Sequence, residues 1–174
     1  MGLFDIFKKD KKDKKDKQMN RPSFDRMEYY FDEAHQRHIS LKDKDVETLT
    51  EEEEMEIVRR AGTHIGFFLT WIIKHHFEGE IYLDEQEALE AVRREEMLGI
   101  DFLMEYGDGK FISDDVSEEI LPFVDFFYNK YLTVFHQWVI NELHDLPLEF
   151  VGSWEDYHQF EHILDEAYAS YCKA

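Results

Sequence analysis

From Gly62 to His76 the chain reads GTHIGFFLTWIIKHH, apolar on nearly every side of a helix rather than along one stripe. Such a segment has no face to give to solvent, which predicts the central buried helix of the fold. Its start is marked upstream. Thr50 with Glu53 three residues later forms a capping-box signature, and Glu51 to Glu54 suit the positive end of a helix dipole. The expected span is Glu51 to about His76. Gly62 and Gly66 cost helix propensity and are expected to admit a close neighbour.

Other segments carry narrower stripes. FDRMEYYFDEAHQRHI predicts a helix over about residues 25–38. EQEALEAVRREEML predicts another, capped by Asp84 and stopped by Gly99, and IDFLMEY a short helical turn. In FVDFFYNKYLTVFHQWVINEL, Phe127, Tyr131, Phe135 and Trp138 recur at spacings of four, four and three, one face of a long helix. Ser113 or Asp114 is the candidate cap for it, and Pro122 fits only near its start. LPLEFVG reads as extended, after which Ser153 caps a last helix bearing Trp154, Tyr157, Leu164, Tyr168 and Tyr171. No strand alternation is convincing and no long repeat occurs. The expected fold is mainly α, a single-domain bundle of about five to six helices around the central apolar one.

Composition adds charge to this picture. The 174 residues carry a net charge of −20, unevenly placed. Residues 1–17 hold seven lysines and four aspartates; the rest of the chain has 13 basic against 36 acidic residues, or −23. Residues 1–20 are therefore expected to form a disordered Lys/Asp-rich tail and residues 21–174 a single acidic helical domain. The apolar tip of the tail (Leu3, Phe4, Ile6, Phe7) is too short to anchor stably to a membrane. No secretory leader and no membrane-spanning run is recognisable, and one cysteine, Cys172, suits a reducing cytoplasm. The acidic body repels nucleic acid and favours encounter with basic partners.

Candidate chemistry is sparse. EYGDGKFISDD, residues 105–115, resembles a calcium loop, but with Gly109 at loop position six, Met104, Tyr106 and Ile112 stand where oxygen ligands are needed. It fails as a phosphate loop as well, and reads as a turn. HQFEH matches the H-x-x-E-H pattern, with His158 and His162 as candidate zinc ligands and Glu161 as base. Two histidines four apart recur by chance in a chain with nine, and only twelve residues remain for a third ligand. His35 and His38 are expected at the surface, and His64 as a hydrogen-bonded core histidine. No nucleophile elbow is present, so no catalytic residue and no cofactor is expected. The acidic cluster around the glycine turn, Tyr106, Asp108, Phe111, Asp114, Asp115, Glu118 and Glu119, is the expected partner-binding patch, with Tyr106 and Phe111 as exposed anchors.

AGTHIGFFLTWII, VRREEMLGIDFLMEYGDGK and SWEDYHQFEHILDEAYASY together resemble a family of small acidic bacterial proteins of unknown function, over roughly residues 28–172. The chain departs from it at FDEAHQRHI, where the family tends to a shorter, glycine-containing segment with a tryptophan–histidine pair. The resemblance implies a bacterial, cytoplasmic, globular protein and carries no reaction. The resulting functional expectation is a non-enzymatic binding module, an immunity- or antitoxin-type neutraliser that occludes a basic protein such as a toxin. The alternatives are a metal-dependent hydrolase using the H-x-x-E-H helix and an acidic DNA mimic that binds a DNA-binding protein.

Overall fold

The computed structural model describes residues 23–43 and 48–174. The expected tail at residues 1–20 lies outside them. Six α-helices follow one another among the described residues: α1 (Glu28–Lys42), α2 (Glu51–Lys74), α3 (Gln86–Arg93), α4 (Gly99–Tyr106), α5 (Leu121–Glu142) and α6 (Trp154–Lys173). The fold is mainly α, as the periodicity indicates.

Helix α2 is the axis. Thr50 accepts from the Glu53 backbone N–H while the Glu53 carboxylate accepts from the Thr50 N–H, so the predicted capping box is formed. From Ile57 to Ile73 only Arg59 is not buried. Phe68, Trp71, Ile65, Leu69 and Ile72 contact neighbours on all sides of the helix. Each such side chain contributes about 2–3 kcal/mol by leaving water. On the α5 side the predicted stripe closes the core, with Phe127, Tyr131, Phe135 and Trp138 all buried. Helix α6 lays Tyr157, Phe160 and Leu164 onto the same core, its start fixed by a second capping box between Ser153 and Asp156.

The close neighbour admitted by the α2 glycines is α4. A Cβ on Gly66 would fall 2.6 Å from the backbone nitrogen of Ile100, and one on Gly99 would fall 2.3 Å from the Gly66 carbonyl oxygen. The two helices therefore cross backbone to backbone. Gly99 accordingly sits at the first residue of α4 and does not stop the preceding helix. That helix ends six residues earlier, at Arg93, where Glu95 turns left-handed (φ 65°) and the Glu96 N–H returns to the Ala91 carbonyl. Asp84 is two residues before α3 and does not cap it.

Four further expectations give way in the structure. A short antiparallel ribbon exists, β1 (Ser23–Arg26) on β2 (Lys110–Ile112), with a bulge near Phe24. Four residues on one side and three on the other are too few to show alternation. Because β1 takes Asp25 into the ribbon, α1 starts at Glu28 and runs on to Lys42, beyond the predicted end. Ser113–Asp115 forms a single 3-10 turn, and α5 begins at Leu121 with Pro122 in its first turn and no side-chain cap. Residues 147–149 form a turn and not an extended run, with Leu148 at φ 71°. The glycine stretch is a turn, as read: Asp108 and Gly109 have φ 54° and 67°, the signs a type I′ turn requires, and the Lys110 N–H donates to the Gly107 carbonyl at 3.0 Å.

Candidate functional site

The most concentrated polar chemistry lies inside the bundle, on Asp25. The bulged ribbon turns its carboxylate inward, leaving it 3% exposed. Oδ1 accepts from the Arg26 N–H at 2.8 Å. Oδ2 receives the Tyr128 hydroxyl of α5 at 3.0 Å, the Tyr30 hydroxyl of α1 at 3.2 Å, and stands 3.2 Å from Nε2 of His64 on α2. Burial first, and the Asp25 charge second, hold the Tyr128 hydroxyl pKa far above its ordinary value; the same two causes raise that of Tyr30. Both phenols thus stay protonated and serve as donors. Tyr131 donates to the His64 carbonyl, and the Tyr30 ring meets the imidazole edge-on at 4.5 Å. A His–Asp pair of this kind can move protons in an enzyme, but here it is 2–3% exposed and walled by aromatic rings. Its contacts fasten β1, α1, α2 and α5 together.

The polar seam continues along α2. Arg60 pairs with Glu56, and on the facing helix His38 is fully buried, 3.8 Å from Glu53. His38 is thus an interior residue and not the surface one expected from the polar sequence around it. Burial foremost, then the Arg60 charge, lowers its pKa, so the imidazole is neutral.

A second interior carboxyl, Asp115, ties the 3-10 turn to the loop after α2. Its Oδ1 accepts from the Tyr82 hydroxyl at 2.6 Å and its Oδ2 from the Ile112 N–H at 2.5 Å. Complete burial outweighs those hydrogen bonds and pushes its pKa up to about 7. The folded protein then holds this proton more tightly than the unfolded chain does. Stability contributed by the site is complete below pH 4 and declines as pH rises to about 7, by up to about 1.4 kcal/mol per pH unit. Urea melts of the protein and of Asp115→Asn between pH 5 and 8 should differ in slope, the variant losing this decline. Parallel pH profiles would show that Asp115 titrates normally.

The expected partner patch is split by burial. Phe111 is fully buried against Phe24, Phe68 and Tyr128, and Asp115 is 1% exposed, so neither can touch a partner. A turn glycine marks a surface loop, but the strand that leaves it points inward. Tyr106, Asp108 and Asp114 are half-buried, with Asp108 paired to Lys110 at 3.0 Å. Glu118 and Glu119 are exposed. Phe126, which lies outside the expected patch, is 69% exposed on α5 and packs on Tyr171. Its signal was its place one residue off the buried stripe that begins at Phe127.

On α6 both histidines of the H-x-x-E-H match are exposed. The His158 ring is engaged at both nitrogens, Nδ1 by Glu161 and Nε2 by Glu95, each at 3.1 Å. These two bonds raise its pKa. Lys74 reaches the same Glu95 at 2.6 Å and lies over the Trp154 ring at 5.2 Å. This is a surface ion network that pins α6 to the end of α2. Among the described residues, no group of three or more His, Cys, Asp or Glu side chains could hold a metal ion. An open groove of about 570 Å³ runs between α1 and the turn at Glu149. Arg37 bridges it, pairing with Glu33 at 2.7 Å and Glu149 at 2.8 Å, so its charges are already matched. No helix of the described residues is long and apolar enough to cross a membrane.

No curated protein and no solved structure matches the chain. A family model for a domain of unknown function, DUF7832, matches residues 23–147. That span includes the whole Asp25 fastener, the Asp115 tie and the exposed start of α5, and stops before α6. On this match over most of its length, the chain belongs to the DUF7832 family of domains of unknown function.

Proposed function

We propose that this chain is a protein-binding module that neutralises a basic partner by covering it, in the manner of an immunity protein or antitoxin. The observation that carries this reading is the excess of 36 acidic over 13 basic residues beyond residue 17. The His64–Asp25 pair is buried and joins elements of the fold, and His158 is held by Glu161 and Glu95 in a surface ion network. Among the described residues, the acidic side chains other than Asp25 and Asp115 reach solvent. A surface potential of one sign raises the encounter rate with an oppositely charged protein by one or more orders of magnitude and falls with salt. A cytoplasmic, bacterial setting accords with this role, though the role itself needs only a basic partner.

Affinity capture from the native cell tests it. The tagged full chain, incubated with lysate at low salt, should retain one protein of basic isoelectric point in near-equal amount and release it on a salt gradient. Retention of no partner, or of an acidic one, would contradict the proposal.

A further inference from the structure

Phe126 is the most exposed large apolar side chain among the described residues. Its ring lies 5.4 Å from that of Tyr171 on α6, which lies 5.4 Å from Phe123, a core residue 1% exposed. Phe126 is therefore the outer member of a chain of tilted aromatic contacts that starts in the core. Glu118 and Glu119 on the turn before α5, and Asp125 within its first turns, are exposed. None of the three enters an ion pair or side-chain hydrogen bond among the described residues. Glu33, Glu95 and Glu149 are instead met by Arg37 or Lys74, while Glu51 and Glu52 at the start of α2 share the unpaired state among the described residues. Tyr168 of α6 packs on the same Phe123 ring at 5.1 Å, next to Tyr171 at 5.4 Å. Acidic residues suit a helix start, and here they share the start of α5 with an exposed phenylalanine that is packed on Tyr171.

Resting on the binding reading above, we infer that this face is the docking site. Phe126 and Tyr171, rimmed by Glu118, Glu119 and Asp125, take a segment of the partner that carries lysine or arginine next to an apolar residue. A cation over the Phe126 ring gains from the ring quadrupole while the carboxylates, unpaired among the described residues, meet its charge. The exposed aromatic supplies the apolar anchor that acidic residues alone lack. Lys130, one turn further along α5, bounds the face with the opposite sign.

A fluorescein-labelled, amidated peptide alternating lysine and leucine serves as the probe, with binding to the full chain read by anisotropy at physiological salt. Two patch variants are compared, Phe126→Ala and the triple Glu118→Gln, Glu119→Gln, Asp125→Asn. The controls are Leu83→Ala, at a residue 66% exposed elsewhere, and the triple Glu51→Gln, Glu52→Gln, Glu54→Gln. Thermal melts confirm that each variant keeps its fold. Each patch variant should weaken binding about fivefold or more, and each control less than about twofold. Equal weakening by patch and control variants would overturn the docking site while leaving an acidic binding module intact. Failure of the parent protein to bind the peptide at low or physiological salt would overturn both.

Discussion

Replacing Gly66 with alanine should lower the unfolding free energy by about 3 kcal/mol, despite the roughly 1 kcal/mol that alanine gains in helix propensity. The added methyl would lie 2.6 Å from the Ile100 nitrogen and 2.8 Å from its Cα. Those are main-chain atoms of α4, and they can move only if the whole helix moves. Gly62, one turn earlier, makes the comparison. There the nearest atoms are the Cδ1 of Ile100 and the Cε and Cγ of Met27, side-chain atoms that can shift without moving a helix. Gly62→Ala should therefore cost about 1 kcal/mol or less. Urea denaturation of the two variants separates a backbone crossing from ordinary tight packing. Equal, small losses would mean that α2 and α4 do not cross at Gly66.

Asp25→Ala should be as costly, at about 3–5 kcal/mol. It leaves the hydroxyls of Tyr30 and Tyr128 without their buried acceptor and His64 without its neighbour, and each unmet donor costs about 1–3 kcal/mol. It also unties β1 from α1, α2 and α5, since Asp25 lies in that strand and its Oδ2 makes the contacts to Tyr30, His64 and Tyr128. Tyr128→Phe removes one donor and its hydroxyl together, so its loss should be nearer 1 kcal/mol. The informative double variant is Asp25→Leu with His64→Leu, which removes the polar centre as a unit and should recover part of the loss. A single loss below about 1 kcal/mol for Asp25→Ala, measured by denaturant unfolding, would remove the fastener from this description.

Local signals in the sequence were legible and distant ones were not. Thr50 with Glu53, and Ser153 at the start of the last helix, announce helix starts because cap and N–H are three residues apart. The all-round apolar run fixes α2 as the axis, and its glycines foretell the α4 crossing. By contrast, Asp25 meets Tyr128 across 103 residues, and no periodicity near either hints at the other. Asp25 reads locally as a helix start, which is why the first helix was expected too early. Phe111 and Phe126 exchange roles for a similar reason. A glycine turn suggested exposure for Phe111, but the two-stranded ribbon folds it onto Phe68, while Phe126 points away from the Phe127–Tyr131–Phe135 stripe. The acidic surface was legible as a total. Which carboxylates lack a partner was not, because Arg37 and Lys74 find theirs through tertiary contacts.

Stopped-flow association with the captured partner tests the central claim most directly. If charge on the body steers docking, the on-rate should fall by about tenfold or more between low and physiological salt, where screening shortens to about 8 Å. The off-rate should change far less, since the aromatic anchor governs it. An on-rate indifferent to salt, whatever the affinity, would contradict an acidic module built for electrostatic capture.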